Sequence, residues 1–336
     1  MPIKTRIKQA SGWLYFKLPS TRARLHNTGV ILMLHRVLED DSLAALPHRN
    51  ELCLGPQAFE RLLRWLSQHF ECVPLMDLLQ GSRRANGHGR PRVALTFDDG
   101  WRDNAVNAFP LLLRYRVPAS IFLSTDYIGS RQRFWWESIV ETLWGTRGED
   151  ARLALTEQLR ETGRPLPAAY FLSSRSHTRS QVLAHYMQSL KSLGQPTLQR
   201  MTDACPAEPV PQALDWHQVR QLEATGLVRF GPHGASHALL PELDEQGLND
   251  ELQRSHAALQ QHCEHPLPVY CYPNGDHDDR VRSWVARHSY AYALSTRQGL
   301  FRDDDDPLAL PRIGVSQQTA ACPSLLAWRI ARGGLA

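Results

Sequence analysis

The chain has no stretch approaching the roughly 18 consecutive apolar residues that a membrane-spanning helix requires, which excludes an integral membrane protein. It also lacks any Cys-x-x-Cys pair. The six cysteines (Cys53, Cys72, Cys205, Cys263, Cys271, Cys322) are scattered, so neither a zinc ribbon nor a disulfide framework is indicated, and a reducing compartment is the simpler setting. The apolar stretch Trp13-Leu-Tyr-Phe16 is too short for a signal-peptide core, and the protein is read as cytoplasmic. Acidic residues are missing before Glu39, whereas Lys4, Arg6, Lys8, Lys17, Arg22 and Arg24 all fall there. The net charge of +4 therefore resides largely in a basic N-terminal arm, residues 1–28. With Ile3, Ile7, Trp13, Leu14 and Phe16 beside its cations, that arm suits peripheral contact with anionic lipid or a lipid-linked substrate. The plainer reading packs its aromatics on the fold. Nucleic acid is not an expected partner, because the basic residues are not interleaved with stacking aromatics along one face.

What is present is ordinary for a soluble globular protein: 42% hydrophobic and 21% charged residues over 336 positions, enough for one α/β barrel with insertions. Gly29-Val-Ile-Leu-Met-Leu-His35 reads as a first buried strand with His35 at its C-terminal end. Phe59, Leu62, Leu63 and Leu66 recur at helical spacing, and a breaker-rich loop at 81–91 leads to a second strand over Val93–Phe97. Helix is expected over 105–115 and strand over 119–123. From 129 to 213 the pattern changes to helices without strands, around 139–144, 153–159 and 182–193, closed by Cys205-Pro-Ala-Glu-Pro-Val-Pro211. Asp215 caps a helix through Leu222 that Gly226 stops. Strands follow at 227–230, 269–272 and 291–294, with a helix marked by Leu248, Leu252 and Leu259. The expected fold class is α/β, a barrel of parallel strands interrupted by a helical insertion. Residues 29–128 form its first part, 129–213 the insertion, 214–320 its second part and 321–336 a C-terminal tail.

Two motifs carry chemistry. The second strand delivers Asp98 and Asp99 to its C-terminal rim, where Gly100 ends it, and α/β barrels keep their active sites at that rim. His233-Gly-Ala-Ser-His237 offers two imidazoles four residues apart. If helical, the segment projects both from one face; Gly231, Pro232 and Gly234 suggest instead a close-turning strand exit. Two histidines and one carboxylate, with positions left open, suit a catalytic divalent ion. Adjacent strand residues point to opposite sides, so the two carboxylates are expected to serve separate roles.

These motifs resemble the signatures of the polysaccharide deacetylase family, carbohydrate esterase family four. Thr96-Phe-Asp-Asp-Gly100 and His233-x-x-x-His237 are similar to its first two, and the likeness runs from about Val30 to Val315. The resemblance implies a distorted (β/α)7-type barrel, with Asp98 as general base and Asp99, His233 and His237 as ligands of a divalent metal ion, zinc first; cobalt, nickel and manganese stay open. It implies hydrolysis of an acetamido or acetyl ester group on a sugar. The acetylated glycan partner is expected to be a polysaccharide or a lipid- or nucleotide-linked precursor of a surface glycan. Tyr272-Pro-Asn-Gly275 resembles a variant of the third signature, which implies Pro273 and Asn274 as the substrate and oxyanion segment, the Asn274 N–H being the donor.

The chain departs from the family in three places. Cys271 stands where an arginine usually precedes that proline, and Arg312 in Leu310-Pro-Arg-Ile-Gly314 is the expected substitute for orienting Asp98. No histidine follows His288, so the late histidine that supplies the general acid is absent; His35 or His277 is expected in its place. Gly234 replaces a usual Ser or Thr. Other readings stay open: a hydrolase of another amide, imide or ester on the same scaffold, or a silent carbohydrate-binding protein. A glycosidase fits poorly, because its carboxylates face each other across ~5–9.5 Å. Trp101, Trp135 and Trp136 suit either stacking on sugars or packing in a core.

Overall fold

The computed structural model of the chain describes residues 28–39, 49–81, 89–145, 148–172, 176–206 and 210–333, with Lys8, Ala10, Ser11, Gly12, Leu14, Leu18, Leu25 and Leu46. The basic-arm expectation lies almost wholly outside the described residues. Among the described residues ten strands run in chain order: β1 (Val30–Leu34), β2 (Arg36–Val37), β3 (Cys53–Leu54), β4 (Glu71–Cys72), β5 (Arg92–Phe97), β6 (Ala119–Leu123), β7 (Val228–Pro232), β8 (Val269–Cys271), β9 (Tyr292–Gln298) and β10 (Leu310–Gly314).

Seven of them form one parallel sheet in the order β7-β6-β5-β1-β10-β9-β8, with β4 paired to β5. The order follows the chain around a ring, so the sheet is a (β/α)7 barrel that nearly closes between β7 and β8. Across that seam the Leu267 N–H donates to the Phe230 carbonyl at 2.7 Å. The strands are buried along nearly their whole length, as expected of a parallel sheet covered on both faces. Helices α1 (Pro56–His69), α2 (Leu75–Gln80) and α3 (Phe109–Tyr115) cover the early strands. Helix α1 buries Phe59, Leu62, Leu63 and Leu66, the stripe legible in the sequence.

The insertion contributes α4 (Trp135–Trp144), α5 (Glu149–Glu161), α6 (Ala168–Leu172), α7 (Ser176–Leu190) and α8 (Gln195–Ala204). It has a hydrophobic core of its own, in which Ile139, Leu143, Leu155, Leu159 and Leu190 are fully buried. The chain then returns through α9 (Trp216–Ala224), α10 (Glu245–His262), α11 (Asp279–Arg287), α12 (Gln317–Ala321) and α13 (Pro323–Gly333). Asp215 opens α9 with a full capping box, accepting from the Gln218 N–H at 2.7 Å, a feature that contributes about 1 kcal/mol. The segment read from sequence as a tail is largely helix α13, with Leu326 and Ile330 in the main core. Among the described residues no helix is long and apolar enough to cross a membrane.

Candidate metal centre

Strand β5 ends at Phe97, and Asp98 and Asp99 follow it into the barrel mouth, 2% and 4% exposed. Thr96 and Asp98 share one side of the strand by its two-residue period. Asp99 adopts a left-handed backbone, φ 75°, so the chain turns away there and the two carboxylates diverge. The divergence expected from strand alternation thus rests on a turn as well as on the pleat.

Asp99 faces both histidines. Its Oδ1 lies 3.3 Å from His233 Nε2 and 3.4 Å from His237 Nε2, and its Oδ2 accepts from Trp101 Nε1 at 2.7 Å. The indole holds one carboxylate oxygen and leaves the other to the imidazoles. The three donor atoms lie within 4.8 Å of one another and all three residues are buried. His233 Nδ1 is 2.8 Å from the Cys271 carbonyl across the β7–β8 seam, which orients Nε2 toward Asp99 in the manner of a metal-ligating histidine. Burial pushes the Asp99 carboxyl up, but the hydrogen bonds from His233 and His237 more than offset this and hold it well below the usual range; burial also lowers His237 toward its neutral, ligating form. Burial lowers His233 as well, but Cys271, Asp99 and Asp98 outweigh it and hold this imidazole well above its ordinary value, so a divalent cation entering between the two ring nitrogens and the ionised Asp99 oxygen would displace the His233 proton; the donor set fits such an ion.

The His233–His237 segment is not a helix. It leaves β7 through a left-handed Gly234, φ 73°, and His237 itself has φ 59°, so the strand-exit reading holds and the helical one does not. The turn is pinned by Glu251 of α10, a buried carboxylate accepting from the Ala235 N–H at 2.8 Å, the Ser236 N–H at 3.0 Å and the Ser236 hydroxyl. A Cβ at Gly234 would stand 3.2 Å from Glu251 Oε2. Where a hydroxyl side chain is usual, this chain thus has a glycine against a carboxylate. On the insertion side, Gln195 Nε2 donates to the Ser236 and His237 carbonyls at 2.9 and 3.0 Å. Sequence reasoning missed Glu251 and Gln195, which carry no local motif.

Asp98 is gripped by Arg312 of β10: Nη1 donates to Oδ1 at 2.7 Å and Nη2 to Oδ2 at 2.8 Å, while Nη1 also meets Thr96 Oγ1 at 3.1 Å and Nε the Ser295 carbonyl at 2.9 Å. Every Arg312 nitrogen has a partner, and the guanidinium is fully buried. Burial pushes the Asp98 carboxyl up, and Arg312 outweighs it, leaving Asp98 below the ordinary carboxylate value. Cys271 Sγ lies 3.5 Å from Asp98 Oδ1. His35 Nε2 lies 3.9 Å from Asp98 Oδ2. His277, by contrast, has Nδ1 2.9 Å from the Gly275 carbonyl and its ring stacked on Tyr272, and it is not part of the wall of the cavity over the metal centre. Pro273 is buried, and Asn274, at φ 56° in the turn after β8, reaches that cavity.

Trp101 is packed on Phe134, ring centroids 4.1 Å apart, and the Arg36 guanidinium covers it at 3.9 Å. Arg36 in turn pairs with Asp103 and with the buried Glu137 of α4, each at 2.8 Å, and Arg49 joins the same Glu137. Trp101 therefore packs rather than presenting a free face, while Trp135 and Trp136 line the cavity of ~330 Å³ above the metal centre.

The family model described as Polysaccharide deacetylase matches residues 85–293, and the chain belongs to that family. The poly-beta-1,6-N-acetyl-D-glucosamine N-deacetylase of Staphylococcus epidermidis is 30% identical over 112 residues, 31% of this chain and 38% of the relative, so the match spans little more than a third of that protein. Among solved structures, the Streptococcus pyogenes deacetylase PplD in complex with acetate superposes with a TM-score of 0.56 at 17% identity, covering 89% of this chain and 96% of that one. IcaB from Ammonifex degensii gives 0.56 at 17%, covering 90% and 97%. At these identities the two structures establish the shared fold.

Proposed function

We propose that the protein is a metal-dependent hydrolase that removes an acetyl group from an N-acetylated sugar in a polysaccharide or lipid-linked precursor of a surface glycan. The observation that carries this is the division of labour at one cavity floor: a carboxylate bound to two histidines beside a carboxylate bound to an arginine. Asp99, His233 and His237 would hold the ion, zinc first by ligand type, whose chemistry when bound is to polarise the acyl oxygen and acidify water. Asp98, kept ionised and aligned by Arg312, receives a proton from the attacking water. The Asn274 N–H donates to the oxygen on which negative charge develops. As the new C–O bond forms and the C–N bond breaks, His35 Nε2 protonates the departing amine, giving acetate and the free amino sugar. His35 is supported in this role by its place at the cavity wall, on the Asp98 side of the floor.

The test is acetate release from a panel of acetylated oligosaccharides and lipid-linked glycans by metal-reconstituted protein. Release is expected, with Asp98→Asn reducing the rate at least ~10²-fold. Activity that survives Asp98→Asn overturns the assigned base, and release unaffected by His35→Ala overturns the assigned acid.

A further inference from the structure

Two cavities adjoin at the metal centre. The ~330 Å³ chamber has the reactive groups as its floor, and much of its wall is apolar, with Trp135, Val140, Leu183, Ala184 and Met187 of the insertion and Leu52 beside the polar Gln188 and Lys191. Leu183, Ala184 and Met187 recur at helical spacing and so share one face of α7. Leu183 and Met187 also close the insertion core, and packing alone explains them. Packing does not explain Ala184, which is exposed, or Leu52, 38% exposed; both turn toward the chamber. The second cavity, ~560 Å³, shares Trp135, Lys191, His237 and Asn274 with the first, and offers Asp126, Gln195, Asp250 and Arg254 as polar partners.

A glycan chain placed wholly in the chamber would leave many hydroxyls facing hydrocarbon, each costing free energy without a hydrogen-bond partner. The second cavity adds such partners in Asp126, Gln195, Asp250 and Arg254. Resting on the deacetylase reading, we propose that the substrate is amphiphilic: its glycan lies in the second cavity, its acylated sugar at the metal centre, and an apolar aglycone against the Leu183–Ala184–Met187 face. The insertion is then the specificity element, selecting a sugar carried on a hydrophobic group over an extended polar oligomer.

The test compares acetate release from N-acetylglucosamine, its octyl glycoside and the linear trimer of N-acetylglucosamine, below the micellar concentration. The octyl glycoside is expected to exceed both others by at least ~10-fold in kcat/KM, chiefly through KM; tenfold corresponds to about 1.4 kcal/mol. Ala184→Asp places a charge on the apolar face at an exposed position and is expected to bring that ratio near one, whereas Ala184→Leu keeps it. A second measurement is independent of the reaction: octyl glucoside, which has no acetyl group, should quench the fluorescence of the chamber tryptophans while glucose does not, and Ala184→Asp should weaken its binding at least ~10-fold. Acetate release with no octyl advantage, or an advantage untouched by Ala184→Asp, overturns the amphiphile. Octyl glucoside binding that depends on Ala184, without acetate release from any substrate, supports the amphiphile and overturns the deacetylase.

Discussion

Asp98 and Asp99 are chemically identical neighbours, and their partners separate them. Arg312 holds one in a bidentate grip at 2.7 and 2.8 Å; Trp101 leaves the other a single oxygen for two imidazoles. Replacing Arg312 with Met strands a buried carboxylate, so Arg312→Met should lower the unfolding free energy by about 3–5 kcal/mol in urea titrations. The sign with pH follows from the lowered Asp98 value. The wild-type contribution is fully present above the ordinary carboxylate value of about 3.9 and is lost as pH falls through the lower folded value; without Arg312 burial raises the Asp98 carboxyl, so the difference keeps growing above that value until the stranded group ionises. Trp101→Phe keeps the packing and deletes the indole N–H; competition with a chromophoric chelator should show metal affinity weakened about 10–100-fold. Unchanged affinity would mean that Asp99 is positioned by the histidines alone.

At the scale of elements, local signals were sufficient wherever one segment does the whole job. The stripe on α1, the cap at Asp215 and the apolar run of β6 needed no partner to be read. The spacing of His233 and His237 suited a helix or a turn equally, and the turn is decided by Glu251 from α10, which occupies three donors of the 235–236 segment. Gly234 sits there at φ 73° with a Cβ position 3.2 Å from that carboxylate. Gly234→Ala should therefore cost about 1–2 kcal/mol from the left-handed backbone alone, read as a fall in melting temperature. Glu251→Gln, which weakens the charge-assisted bonds without changing size, should reduce metal affinity in the same chelator assay. The five-residue α6 and the two-residue strands carried too few periodic positions to be recognised from the sequence, and the ten-residue α8 buries two apolar side chains, Leu198 and Met201, with Thr202, too sparse a stripe to read.

Across the whole molecule, the insertion has its own core and yet reaches the centre at several points, through Gln195 on the His237 turn, Trp136 on the His237 ring, Phe134 on Trp101 and Glu137 on the Arg36–Trp101 stack. Metal binding should therefore stabilise the entire fold: zinc at a hundred times its dissociation constant adds about 2.7 kcal/mol, and Asp99→Ala should abolish the corresponding shift in melting temperature. A shift that persists in Asp99→Ala would place the ion elsewhere. The amino-acid sequence by itself determined the strands and the reactive side chains at their ends, because hydrophobic periodicity and turn chemistry are local properties of a few consecutive residues. Only the tertiary structure decided which groups meet. Arg312 is 214 residues from Asp98, and it arrives because β1 alone separates β5 from β10, leaving two strand spacings, roughly 10 Å, for an arginine side chain to span.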